Sequence, residues 1–214
     1  MTEIERQGLK KAPRANSSLN RHAERTAQTR ARLLEAGEKI FARDGFEAAK
    51  LEEIATEAGY TRGAFYANFA SKEDLFIALL AEEVERRMAR ASQLARATKP
   101  TAQILRENYI QSLKNKTWNV LFIEYKLFIL RHPEFKEKVT EMQAKAFATT
   151  SIVLEEIYRG AGIKLPVSTL AAAISLAAVA NTLGIDLMIG KAITEKEVDT
   201  ILGLFFDALA FQHS

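Results

Sequence analysis

The densest set of residues suited to recognition chemistry lies between positions 50 and 72: Lys50, Tyr60, Thr61, Arg62, Gly63, Tyr66, Asn68 and Lys72. Hydroxyls, cations and amides grouped like this can hydrogen-bond phosphate oxygens and base edges, and a glycine among them permits close approach of another molecule. No comparable set suits acid–base or covalent catalysis. The chain has three histidines, His22, His132 and His213, widely separated, and no cysteine. Metal-ligand spacing, a glycine-rich phosphate loop and a Ser-His-Asp arrangement are all missing. The expectation is therefore of a protein that is not an enzyme and needs neither metal nor cofactor. A cysteine-free chain also fits the cytoplasm.

Those polar residues need short helices to present them. Apolar residues at helical spacing place one helix at about 51–58, with Ile54 and Ala58 inward, and a second at about 61–69, with Phe65 and Phe69 inward. Gly59 falls at the turn between them, where a left-handed backbone is tolerated. Thr61 can cap the second helix. Thr61, Arg62, Gly63, Tyr66, Ala67 and Asn68 are left facing away from the core, as a helix entering the major groove requires. Lys72, beside the next helix N-terminus, is expected to meet phosphate. Taken alone, a helical hairpin with a polar face satisfies the same pattern without binding DNA.

The run from Ile54 through Ala58-Gly59-Tyr60-Thr61-Arg62-Gly63-Ala64-Phe65-Tyr66-Ala67-Asn68-Phe69 to Lys72 and Leu75 resembles the DNA-binding signature of the TetR family of helix-turn-helix transcriptional regulators. The segment ending Phe41-Ala42-Arg43-Asp44-Gly45-Phe46 resembles that family's first helix. Four positions depart from the pattern. Ala49 and Lys50 stand where a Thr or Ser is usual at the start of the second helix, so Lys50 is expected to supply a phosphate contact in its place. Asn68 stands where His is frequent, and Tyr60 is bulkier than the usual residue. The resemblance implies a dimer bound to an inverted-repeat operator, and an inducer held between the C-terminal helices.

The remaining chain reads as helices at about 71–97, 101–114, 117–131, 133–159, 166–189 and 195–211, after a first helix at 26–44. The expected fold is all-α, about nine helices without a sheet. The expected division is a flexible basic arm (1–25), a helix-turn-helix DNA-binding domain (26–75) and a larger helical ligand-binding and dimerisation domain (76–214). The arm carries Arg6, Lys10, Lys11, Arg14, Arg21 and Arg25. Charge alone does not choose between a solvated tail and a nucleic-acid contact.

Trp118, Phe122, Glu124, Tyr125, Phe128, Gln143, Phe147 and Asn181 are candidates for a ligand pocket, apolar with a few polar groups; for each aromatic, plain core packing is the competing reading. The apolar stretch at 165–190, interrupted by Ser, Thr, Asn and Asp, reads as a buried or interface helix and not a membrane span. Ile174, Ala178, Leu202, Phe205, Phe206 and Leu209 are the candidates for a homodimer interface. The function expected is a sequence-specific transcriptional regulator, a repressor released from operator DNA by a small apolar or aromatic effector. Two alternatives stay open: an activator or a regulator without an inducer, and a ligand-binding protein that has lost DNA binding.

Overall fold

Helix-forming sequence begins earlier than apolar periodicity reveals. In a computed structural model, which describes residues 15–96, 101–190 and 193–210 (side chains of 15–20, 95 and 209–210 excepted), α1 spans Ala15–Asp44. The expected arm boundary at residue 25 is thereby corrected, since residues 15–25 are helical; residues 1–14 lie outside the described part. No Pro or Gly interrupts residues 15–36, and Thr26 and Thr29 return hydroxyl bonds to the carbonyls four residues back. Residues 21–28 are exposed on every side, so this stretch carries no inward stripe for a pattern search to find.

Eight further α-helices follow among the described residues: α2 Leu51–Glu57, α3 Arg62–Tyr66, α4 Lys72–Arg96, α5 Ala102–Leu113, α6 Lys116–Arg131, α7 Lys136–Gly160, α8 Thr169–Ile189 and α9 Glu195–Ala210. A single 3₁₀ turn, Pro133–Phe135, separates α6 from α7, and no strand occurs among the described residues. Side-chain caps mark the starts. Thr101 accepts from the Ile104 N–H, Asn115 from Trp118, and Ser168 from Ala171. Ser168, not Pro166, therefore opens α8. Thr194 and Glu197 exchange reciprocal bonds at the start of α9. Gly59 follows the end of α2 at φ 77°, the left-handed turn expected there.

Two apolar cores form. The first gathers Leu33, Ile40 and Phe41 of α1, Phe46, Ile54 of α2, Phe65 and Phe69 around α3, and Leu75 and Phe76 of α4. It also takes in Leu121, Tyr125 and Phe128 of α6 and Val139 of α7, so the packing of the N-terminal head does not stop at residue 75. The second joins Leu105 and Leu113 of α5, Val153, Leu154 and Tyr158 of α7, Ala173 and Leu176 of α8, and Leu202 and Phe206 of α9. Helix α8 is apolar and long enough to cross a membrane by composition. Ala172, Ala173, Leu176, Ala180 and Leu183 nevertheless pack inside the subunit, and buried Asn119 of α6 donates to the carbonyls of Leu113 and Gly184.

Candidate functional site

The head presents α3 as its exposed edge. Thr61 accepts from the Ala64 N–H at 3.2 Å, and Phe65 is fully buried beneath. Thr61, Arg62, Gly63, Tyr66 and Ala67 are exposed, as expected. Arg62 is held ready by its neighbours: it pairs with Glu52 at 3.0 Å, donates to the Tyr66 hydroxyl at 3.3 Å and lies 5.5 Å from the centre of that ring. The Tyr66 hydroxyl, first, and then Glu52 push the Arg62 pKa further up. A methyl group added at Gly63 would meet only the Thr61 hydroxyl, at 3.7 Å. The protein's own packing therefore leaves room for a side chain here.

Three candidates from the same stretch sit differently from expectation. Lys72 is half-buried, and its ammonium donates to the carbonyls of Phe46, Glu47 and Ala49 at 2.8, 3.1 and 3.1 Å while lying 4.5 Å from the Phe46 ring centre. An ammonium has three protons, and all three are taken; Lys72 fastens the loop between α1 and α2 and is not a free cation facing phosphate. Asn68 is half-buried, its amide donating to Ala64 O at 2.8 Å, with its side-chain oxygen buried and unpaired. Tyr60 packs partly into the first core. Lys50 is exposed and occupies the N-cap of α2 without a side-chain cap bond, as the loss of a hydroxyl there requires.

One supporting residue escaped the sequence reading. Arg30 donates to the Asn68 carbonyl at 3.1 Å and stacks 4.2 Å from the Phe69 ring centre, bracing the end of α3 from α1. Its only sequence signal was a charge among many.

In the second half of the chain, Trp118, Phe122, Tyr125, Gln143, Phe147 and Asn181 line one cavity of about 390 Å³, within the size range of small-molecule sites. Its walls come from α4, α5, α6, α7 and α8. Burial raises the Tyr125 phenol to about 12 and also pushes up that of Tyr109, whose shift is offset in part by a hydrogen bond from Thr150 and the charge of Arg87. Arg87, Lys126 and Tyr109 are lining residues the sequence did not single out, because a charged or phenolic residue in an amphipathic helix reads first as solvent-facing.

Glu124 and Phe128 do not line the cavity and are corrected. At 100° per residue, positions 121, 124 and 128 of α6 turn about a quarter to a third of a turn away from 118, 122 and 125. They face the head instead. Glu124 accepts from the Phe46 N–H at 2.8 Å, and Phe128 is buried edge-on against Phe46 and Phe76, with ring centres 4.7 and 5.2 Å away. His132 continues this seam, stacking on Phe128 and reaching Glu47 at 3.3 Å.

The interface candidates divide as well. Ile174 and Ala178 are exposed on α8, whereas Leu202 and Phe206 are buried in their own subunit and Phe205 packs half-buried beside them. The Tyr158 hydroxyl, donating to Phe206 O at 3.0 Å, fixes that inward face of α9. The side chain of Leu209 lies outside the described residues. On these two helices the large apolar side chains left uncovered are Leu170, Ile174 and Ile189 of α8 and Ile201 and Leu204 of α9, Leu204 being 63% exposed; Leu130 of α6 and Ile152 of α7 are among those uncovered elsewhere. Among the described residues no group of His, Cys, Asp and Glu is placed to hold a metal ion.

Comparison with known proteins follows this division. Residues 33–79 match the family model of bacterial regulatory proteins, tetR family. The chain is 33% identical over 102 residues to the transcriptional activator FasR of Mycolicibacterium smegmatis, covering 48% of this chain and 46% of that one. It is 26% identical over 121 residues to the transcriptional repressor AcnR of Corynebacterium efficiens, covering 56% and 61%. The matches thus span about half the length of these curated relatives. In three dimensions the chain is similar to SmeT of Stenotrophomonas maltophilia, the repressor of the multidrug efflux pump SmeDEF, with a TM-score of 0.61 at 23% identity over 85% of this chain and 91% of that one.

Proposed function

From the match of residues 33–79 to the tetR family of bacterial regulatory proteins we propose that the chain is a cytoplasmic, sequence-specific transcription regulator of that kind: a homodimeric repressor released from operator DNA by a small effector with an apolar body. The observation that carries this reading is the exposed face of α3. Arg62 and Tyr66 are presented together there, beside a glycine the protein's own packing does not demand. Arg62 suits a guanine edge, Thr61 and Tyr66 suit phosphate or base edges, and Gly63 suits close approach to the groove. Lys50 adds a phosphate contact.

The uncovered residues of α8 and α9 support a two-fold dimer, whose recognition helices would meet half-sites about 34 Å apart. An effector acts only through unequal affinity for the two arrangements. Helix α6 is suited to convey that difference, because it lines the cavity with one face and holds Phe46 with another.

The test is selection of bound sequences from a random duplex pool by the full chain. An inverted repeat bound by a dimer is expected. Only weak, salt-sensitive binding without a recovered sequence would overturn the proposal. The similarity to both an activator and a repressor supports a second reading, activation, within the same class. A reporter gene placed behind the recovered operator separates the two: expression falls on adding a repressor and rises on adding an activator.

A further inference from the structure

We propose that the effector is an amphipathic organic anion, with an aliphatic or aromatic body and one oxyanion head seated between Arg87 and the indole N–H of Trp118. This rests on the effector reading above and adds the ligand's charge to it.

Two independent features carry it. The first is an unmet donor. Trp118 lines the cavity and is 8% exposed, yet its Nε1–H is buried with no acceptor. A buried N–H left unpaired is costly, so an occupant bringing an acceptor gains more here than an equally apolar one without it. The second is charge. Arg87, Arg90 and Lys126 line the cavity, and no Asp or Glu does so among the described residues.

The cations are balanced from behind only in part. Arg87 bonds Glu83 at 2.8 Å, Glu83 also reaches Arg86 at 3.1 Å, and Glu38 faces the same group, so the surplus positive charge of the lining rests on Arg90 and Lys126. Arg87 also lies 4.8 Å from the centre of the Trp118 ring. At the other end, Lys126 has ring faces for neighbours, 5.2 Å from the centre of Phe122 and 4.8 Å from Tyr125. Lys126 is itself exposed, and what burial it has pushes its pKa down. A neutral acceptor would satisfy Trp118 alone; the surplus positive charge selects an anion and disfavours a cation.

The test measures the full chain against matched ligands: decanoate, 1-decanol and decyltrimethylammonium, then 2-naphthoate, 2-naphthalenemethanol and 2-naphthylmethyl-trimethylammonium. Titration calorimetry gives the affinities, and fluorescence of Trp118, the chain's single tryptophan, reports entry into the cavity. We expect the carboxylate to bind about tenfold or more tightly than the alcohol in at least one series, and the ammonium most weakly, as a charge-assisted bond requires. Arg87→Met should erase the preference for carboxylate over alcohol. Trp118→Phe, which keeps the ring, should weaken carboxylate binding several-fold with little change in melting temperature. Should Arg87→Met fail to fold, the wild-type series and Lys126→Met decide the matter. Alcohol or ammonium binding as tightly as carboxylate overturns the charge assignment and leaves the effector reading standing. Failure of all six to bind overturns the effector reading along with it.

Discussion

Most of the head's packing joins residues close in sequence, Ile40 and Phe41 of α1, Ile54 and Ala55 of α2, and Phe65 beside Phe69, with α6 closing one side through Leu121 and Phe128. The cavity wall does not. It brings Arg87 of α4, Tyr109 of α5, Trp118 of α6, Gln143 of α7 and Asn181 of α8 to one space. A unit closed by neighbouring segments keeps its shape as other helices shift. A space enclosed by five helices changes with any of their placements. That makes the cavity the place where a bound molecule can favour one arrangement over another, and the head a rigid body that is carried along. The two meet at Phe46, Glu124 and Phe128.

The strongest way to break this comparison is through the proposed dimer. Leu204→Glu places a charge on a side chain already exposed in the subunit, so folding should survive. The mass in solution should halve and affinity for an inverted repeat should fall by about a hundredfold or more, as losing one of two linked half-site contacts requires. An unchanged mass places the interface elsewhere. Next comes the seam between the regions. Phe128→Ala should lower stability by about 3–5 kcal/mol in chemical denaturation, as for other buried phenylalanines. Phe122→Ala, half-buried on the cavity side, should cost less and change effector affinity instead. If the two variants cost the same, the faces of α6 are not distinct in the way described.

Within the head, Arg62→Ala should weaken operator binding by about 1–3 kcal/mol, or roughly ten- to a hundredfold, and relax selectivity at one base position. Loss spread evenly over all sequences would make Arg62 a phosphate contact. The smallest effects separate the two lysines. Lys50→Ala should reduce the salt dependence of DNA binding by about one counter-ion with stability unchanged. Lys72→Met should instead lower stability by about 1–3 kcal/mol, because three carbonyls lose their donor, and leave the salt slope nearly unaltered. Exchanged outcomes would restore Lys72 as a DNA contact.

What could be read from sequence follows the same divide. The head was legible because its determinants are local. Gly59 sits at a left-handed turn, Thr61 at a cap, and Phe65 and Phe69 four residues apart on one face. Six cavity residues were legible as aromatic or polar residues on amphipathic helices. Glu124 and Phe128 were misplaced because composition names a residue as unusual without saying toward which neighbour its face of α6 turns. The carbonyl partners of Lys72 were not legible for a related reason: they lie 23 to 26 residues away in sequence. The inward turn of Leu202 and Phe206 was hidden because α9 is apolar on more than one side, and only the packing of α5 and α7 decides which side each core claims.

Asn119 ties α6 to α8 near one end of α6. Its amide clasps the Gly184 carbonyl in the C-terminal third of α8, and a methyl at Gly184 would lie 3.0 Å from the Asn119 oxygen, so the two backbones are drawn close at that point. Any tilt of α6 against α8 would turn about this contact. From Asn119 to His132, α6 extends about 20 Å at 1.5 Å per residue, and Trp118 lies beside the pivot while Glu124 and Phe128 lie progressively farther along the arm. A tilt of 5° about that point would move the far end by nearly 2 Å, several times the displacement next to Trp118. A contact made near the fulcrum is thereby magnified where α6 grips the head.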